Sequence, residues 1–267
     1  MRTRRLGEAI EANRFAFWAD YGRSSRVEMH DEPDMMWFVT GIPSPGGNGV
    51  CRTRFERADV DARIEAVLDH FRARNVPLTW HVGPTTRPRN LGKRLLAHGL
   101  QDAGCEPGMV VDLALLDDSA DWCPGLDIQR VCEPEELDKW MDVFATGFKL
   151  PRSVADAMYE LELDLGLAQH PPRQLYLGSL HGRPVATSLL FLGAGVAGIY
   201  GVTTLPHARR KGIGAAMTRV PLLKARATGY PVGVLHASAM GASVYRRLGF
   251  RECCQLRYYA WTGAPAW

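Results

Sequence analysis

Cysteine is scarce and shows no pattern. The six cysteines are Cys51, Cys105, Cys123, Cys132, Cys253 and Cys254. None forms a C-x-x-C pair, and no His/Cys spacing matches a zinc site, so no disulfide scaffold and no metal are expected. A reduced, cytoplasmic setting is the simplest expectation. The first residues, MRTRRLGEAIEANRF, are basic but lack an apolar core, so no secretory signal is read there. The uncharged run Val185–Leu205 is long enough to span a bilayer, but glycines at 193, 195, 198 and 201 break it. Its two apolar parts have strand length and β-branched content, which predicts a buried hairpin and no membrane span. Acidic residues are missing altogether between Asp164 and Glu252, whereas that span carries Arg173, Arg183, Arg209, Arg210, Lys211, Arg219, Lys224, Arg226, Arg246, Arg247 and Arg251. One region is therefore electropositive although the formal net charge is only +3. That pattern suits a ligand with several phosphates. Aromatic residues are few in the basic span, which argues against nucleic acid as the partner.

What is present is 267 residues, 46% hydrophobic and 23% charged, enough for two domains with real cores. The periodicity predicts helices over Leu6–Tyr21, Asp59–Asn75 and Leu91–His98 in the first part, with strands at Met35–Thr40, Val50–Phe55, Leu78–Val82 and Met109–Leu116. The polar, turn-rich stretch Asp117–Asp127 is taken as the boundary between a domain over 1–120 and one over 127–267. The second part reads strand (Ile128–Cys132), helices (Pro134–Gly147, and Ser153–Leu165 with Ser153 as N-cap), and three strands (Leu175–Leu180, Val185–Leu192, Val196–Leu205). A helix (Ile213–Thr228), a strand (Pro231–Ala237), a helix (Ala242–Leu248) and a strand (Cys253–Trp261) complete it.

The organising stretch is Val202–Ala216, VTTLPHARRKGIGAA. A strand runs into a loop that carries cations and glycines, and a helix starts at once. A helix N-terminus leaves backbone N–H groups unpaired and bears partial positive charge. Gly212 and Gly214 lack a Cβ, so an anion can approach the backbone closely, and Arg209, Arg210 and Lys211 add full charges. The chemistry predicted is a pyrophosphate cradle. The fingerprint-like Gly193-x-Gly195-x-x-Gly198 is rejected as a dinucleotide site, because strand-like residues follow where a helix is required.

Pro206, Arg209, Gly212 and Gly214 match the acyl-CoA motif Arg/Gln-x-x-Gly-x-Gly/Ala, and Ser238–Phe250 ends in Tyr-x-x-Leu-Gly-Phe. At these residues the chain resembles the GNAT superfamily of acetyltransferases. The resemblance covers roughly Asp127–Trp267. It implies an α/β GNAT fold, a mixed but mostly antiparallel sheet flanked by helices. It also implies acetyl-CoA as co-substrate and direct transfer of acetyl to an amine in a ternary complex. The implied cofactor-binding residues are Val202, Thr204, Arg209, Arg210, Lys211, Gly212, Ile213, Gly214, Ala215 and Ser243. Tyr245 is the family-matched acid for the leaving thiolate, and a backbone N–H near Thr204 would polarise the carbonyl.

The general base is not legible. Candidates are Glu162 and its helix neighbours Glu160 and Asp164, His236 on the adjacent strand, a residue of the first domain, a water relay, or none. A weak repeat completes the reading. Helix Asp59–Asn75, PLTWHVG and LGKRLLAHGL parallel helix Ile213–Thr228, PVGVLHAS and ASVYRRLGF. The first copy has Asp59 and Asp61 where the second has its glycines, and those carboxylates would repel a pyrophosphate. Two GNAT-like halves in tandem are expected, the first without a CoA site. The acceptor is expected to be a small amine. The opposing expectation is a non-catalytic acyl-CoA sensor that keeps the cradle and has lost the chemistry.

Overall fold

The structure is a computed structural model and describes residues 3–56, 59–118, 123–167 and 172–263. The expected boundary between 120 and 127 falls partly outside them. In chain order the elements are α1 (Thr3–Ala19), β1 (Glu28–Asp31), β2 (Met36–Val39), β3 (Gly49–Cys51), α2 (Val60–Arg74), β4 (Leu78–Val82), α3 (Leu91–Ala97), β5 (Gln101–Asp112) and β6 (Leu126–Arg130). They continue with α4 (Pro134–Phe148), α5 (Arg152–Leu165), β7 (Arg173–Leu180), β8 (Arg183–Gly193), β9 (Val196–Thr204), α6 (Ile213–Ala227), β10 (Val232–His236), α7 (Ala242–Arg247) and β11 (Arg251–Trp261). Among the described residues no helix is long and apolar enough to cross a membrane. The run from Val185 is the β8–β9 hairpin. Its turn residues Ala194 and Gly195 both have positive φ (52° and 73°), the geometry that suits the twist of a two-residue hairpin.

The chain divides into two compact units that are not consecutive in sequence. One comprises Met1–Phe17 and Pro107–Cys253, the other Trp18–Glu106 and Cys254–Trp267. In the first, the strand order is β5, β10, β9, β8, β7, β6. Only β9 and β10 run parallel; β10 pairs antiparallel with the second half of β5, from Val232↔Asp112 to His236↔Gly108. Apolar side chains fill both faces of this sheet. Met109, Val111, Ala186, Leu190, Ile199 and Leu235 pack with Met217 and Leu222 of α6 on one, and Leu175, Leu177, Leu189 and Phe191 with Leu137 and Trp140 of α4 on the other. Helix α4 starts with the capping box of Glu133 and Glu136, and Trp140 Nε1 donates to Tyr176 O at 3.1 Å. Helix α5 begins one residue earlier than expected. Pro151 occupies its N-cap position without a side-chain cap, so Ser153 is not the cap. The proline's φ of −57° leads the chain into the helix ahead of the serine.

Helix α1 belongs to this first unit through Asn13, which is fully buried. Its Nδ2 donates to Gly193 O (2.8 Å) and Val196 O (3.1 Å), and its Oδ1 accepts from Tyr200 Oη (2.7 Å). Gly198 makes room for it: a Cβ there would stand 2.0 Å from Asn13 Oδ1. One amide thus satisfies the hairpin carbonyls that α1 covers.

The second unit repeats the plan. Its strand order is β1, β2, β3, β4, β11, then the first half of β5. β3 and β4 are parallel, as β9 and β10 are in the other unit. Helices α2 and α3 flank β4 in sequence as α6 and α7 flank β10. Its core gathers Met35, Val50, Ile64, Leu68, Phe71, Leu78, Trp80, Leu91 and Leu95. Here β4 pairs antiparallel with β11, Leu78↔Trp261 to Val82↔Arg257. The second unit therefore completes its sheet with a strand from a distant segment, β11, whereas the first takes a helix, α1, from a distant segment.

Candidate active site

The site forms where β9 and β10 part. Their parallel ladder ends at Leu235↔Ile199, whereas β9 continues to Thr204. Within β9 the register against β8 slips. Thr187↔Thr203 is followed by Leu189↔Tyr200, so β9 carries one extra residue. That bulge needs Gly201 at φ 57°, and Thr187 Oγ1 donates to its carbonyl at 2.8 Å. The bulge thus lies where β9 runs on beyond its last residue in register with β10, Ile199.

At the end of β9 the chain passes through Pro206–Ala208 into the glycine loop. Arg209 Nε donates to Thr204 O at 2.9 Å and ties the loop back to the strand. Arg210 (φ 63°) and Gly212 (φ 78°) are both left-handed, alternating turns that point successive N–H groups into one concavity. Gly212 is the N-cap of α6 and offers no side-chain cap. The first intrahelical bond runs from Ala216 N to Gly212 O (3.1 Å), leaving the N–H groups of Ile213, Gly214 and Ala215 to an incoming anion. A Cβ at Gly214 would make an ordinary van der Waals contact with Thr204 Oγ1, 3.7 Å away.

A cleft of about 610 Å³ lies over this loop. Val202, Thr204, Arg209, Arg210, Gly212, Ile213, Gly214, Ala215, Ser243 and Tyr245 all line it. Lys211 is exposed on the loop but does not line the cleft. The cleft also takes Thr203, Ala208, Ser238, Met240, Gly241, Val244 and Arg247, none of them among the expected cofactor-binding residues. The signal for Arg247 was available: it stands four residues after Ser243 on α7, hence on the same helical face. Among the described residues the wall contains no carboxylate and no imidazole. With three arginines against none, its field favours a polyanion.

Tyr245 is 9% exposed, edge-on to Phe250 at 5.9 Å, on the short helix α7. The other two expected catalytic residues lie elsewhere. Glu162 is buried on α5 and accepts from Arg173 Nη1 at 3.0 Å, with Arg173 also over the Phe17 ring at 4.2 Å. His236 closes β10, one residue past the last parallel pair, edge-on to Tyr200 at 6.1 Å. Its Nδ1 meets Arg14 Nη1. Arginine only donates, so Nδ1 accepts and a neutral ring carries its proton on Nε2. In that arrangement His236 is a hydrogen-bond donor.

Residues 129–253 match the family model described as the acetyltransferase (GNAT) domain. That segment contains the splayed strands, the glycine loop and α7. Residues 129–253 are a GNAT acetyltransferase domain. Acyl transfer from acyl-CoA is the chemistry of this family. The whole chain also has structural counterparts. A GCN5-related N-acetyltransferase from Kribbella flavida superposes with a TM-score of 0.71 at 22% identity, over 96% of either chain. One from Sphaerobacter thermophilus gives 0.63 at 16%, over 98% of this chain and 93% of its own. A tandem GNAT protein from the clavulanic acid biosynthesis pathway gives 0.59 at 12%, over 91% and 86%. At these identities the likeness concerns the fold: two GNAT-like halves in tandem. No curated protein matches the chain in sequence.

Proposed function

We propose that the protein is an N-acetyltransferase that moves acetyl from acetyl-CoA to a small amine by direct transfer in a ternary complex. The observation that carries this reading is the uncapped start of α6, with Gly212 left-handed and three arginines around the cleft. The pyrophosphate would sit on the N–H groups of Ile213, Gly214 and Ala215, with Arg209, Arg210 and Lys211 around it. Val202 and Thr204 would hold the pantetheine arm along the free side of β9, and Ser243 would contact CoA from α7. The amine nitrogen attacks the thioester carbonyl. A backbone N–H near Thr204 stabilises the oxyanion, a contribution worth about 10²–10³ in rate in comparable sites. The C–S bond then breaks, and the thiolate takes its proton from the Tyr245 hydroxyl, which regains one from water.

Among the described residues the cleft wall offers no carboxylate or imidazole as base. Glu162 is engaged with Arg173 and His236 with Arg14. We assign the amine's proton to water, directly or through a relay. The second unit serves the reaction without a donor site of its own. Asp59 stands at the N-cap of α2 and Asp61 in its first turn, where the GNAT domain has glycines. The lack of a base in the wall is also what a non-catalytic acyl-CoA sensor would show.

One experiment separates the two. Acetyl-CoA binding is measured by calorimetry, and CoA release is followed against a panel of amines. Binding with turnover on one amine class supports the enzyme and names its acceptor. Binding without turnover on any amine favours the sensor. No binding overturns the cradle.

A further inference from the structure

We propose that Glu28, His30 and His70 bind a divalent transition-metal cation of the zinc class, in the second unit and independently of acyl transfer. Glu28 and His30 are two apart on β1, so both side chains leave the same face of the strand. His70 reaches them from α2. The three donor atoms lie within 4.8 Å of one another. His30 Nε2 is 2.9 Å and His70 Nε2 3.0 Å from the same oxygen, Glu28 Oε1. His70 Nε2 is buried yet makes no aligned hydrogen bond among the described residues, although Oε1 is so close. A ring nitrogen placed beside a carboxylate but not aimed along a hydrogen bond suits a cation held between them.

The surroundings support metal ligation. Glu28 uses its second oxygen, Oε2, for Arg74 Nη2 at 3.3 Å, which orients the carboxylate and leaves Oε1 to the site. His30 is the cross-strand neighbour of Trp37 and lies flat on its indole, centroids 3.6 Å apart and planes 4° from parallel. His70 stands edge-on to the same indole at 4.5 Å. Both imidazoles are thus held by a buried aromatic on rigid elements. Two imidazoles and a carboxylate form a donor set suited to zinc and its neighbours, leaving a fourth position to solvent. Zinc bonds of about 2.0–2.1 Å would put tetrahedral donors roughly 3.3 Å apart, so the observed spacings need to open by a few tenths of an ångström. The ion would staple β1 to α2. Sequence spacing did not reveal the set, because the third ligand comes from a separate element.

The test uses the full-length, tag-free chain after treatment with a chelator. Zn²⁺ is titrated by calorimetry, Co²⁺ by visible absorption, and thermal unfolding is followed with and without Zn²⁺. The expected result is one Zn²⁺ per chain, a Co²⁺ spectrum without thiolate charge-transfer bands, and a raised melting temperature. His30→Phe and His70→Phe, which keep a ring against Trp37, should each weaken Zn²⁺ at least about 100-fold, more than loss of a supporting partner costs. Should either fail to fold by circular dichroism, Glu28→Gln removes the anionic donor at constant size and should weaken binding likewise. Absence of binding, unchanged affinity in the folded variants, or thiolate bands from the cysteines would overturn the proposal.

Discussion

Gly212 and Gly214 act by what they omit. Gly212 must adopt a left-handed φ of 78° at the N-cap of α6, and an L side chain there costs about 1–2 kcal/mol. A Cβ at Gly214 would only touch Thr204 Oγ1 without clash, so its glycine matters to whatever approaches from the cleft. Changing both to Asp places two carboxylates against the unpaired N–H groups. Acetyl-CoA binding should then be lost in calorimetry, while circular dichroism stays native; retained affinity would disprove the cradle. Tyr245→Phe should lower kcat by about 100-fold, the lower end of general acid catalysis, with CoA affinity nearly unchanged. An unaltered rate would remove Tyr245 as the acid. Glu162 makes the opposite prediction. Its side chain is 7% exposed and that of Arg173 is 3% exposed, so Glu162→Gln leaves a buried guanidinium short of its counter-charge. Stability should fall by on the order of 3 kcal/mol in urea, with kcat of the remaining folded enzyme unchanged. A selective loss of kcat, with the base limb of its pH profile, would return Glu162 to the chemistry.

At the scale of elements, α2 and α6 occupy the same place in their units and end in different chemistry. The α6 start is glycine and open backbone; the α2 start is acidic and already occupied. Asp61 pairs with Arg94 and with His98 Nε2 (3.1 Å), and Glu65 pairs with His98 Nδ1 (2.5 Å) and with Arg72. Partial burial works against charging His98, but Glu65 and Asp61 outweigh it and hold its pKa above the ordinary value. The same contacts hold Glu65 and Asp61 below theirs, the His98 bond leading for Glu65 and the Arg94 bond for Asp61. A raised folded pKa gives stability that is complete below the unfolded value, about 6.5, and is lost as pH rises through the folded one. Lowered carboxylates give stability present above about 4 and lost as pH falls. The cluster should therefore stabilise the α2–α3 pair most between about pH 4.5 and 6.5. The melting temperature should decline above that window in the native chain, and His98→Gln should flatten the decline. An identical profile in the variant would show that the cluster does not matter.

At the scale of the whole molecule, the two units are topologically interleaved along the chain. The first needs α1 and the second half of β5; the other needs the end of β11. A fragment starting at Asp127 would contain the entire acyl-CoA motif, yet β10 would lose its partner from Gly108 to Asp112 and the β8–β9 hairpin would lose Asn13. An exposed edge of apolar β10 is an aggregation template. That fragment should fail to unfold cooperatively in thermal melts and should aggregate, whereas the full chain melts cooperatively. A monomeric, cooperatively folded fragment would show that the borrowed strand is dispensable.

Local chemistry made much of this readable in advance. The strand–glycine–helix junction, the Tyr-x-x-Leu-Gly-Phe block and the order of elements from β6 to β11 rest on propensity, turn residues and short spacing, which act within a few residues. Strand Leu78–Val82 could be placed to the residue, because a proline and a glycine bracket it. The short β1, EMHD, was missed, since charged edge residues carry no apolar alternation. The start of β5 at Gln101 was missed for the same reason: its first five residues are exposed. Other features could not be read at all. That Glu162 is consumed by Arg173, that Arg14 turns His236 into a donor, and that Glu28, His30 and His70 converge depend on contacts across the fold. By itself the sequence determined the strand–glycine–helix junction and its fold family, since both rest on signals local in the chain. Only the tertiary structure decided which charges are free to act, because burial and pairing are set by partners distant in sequence.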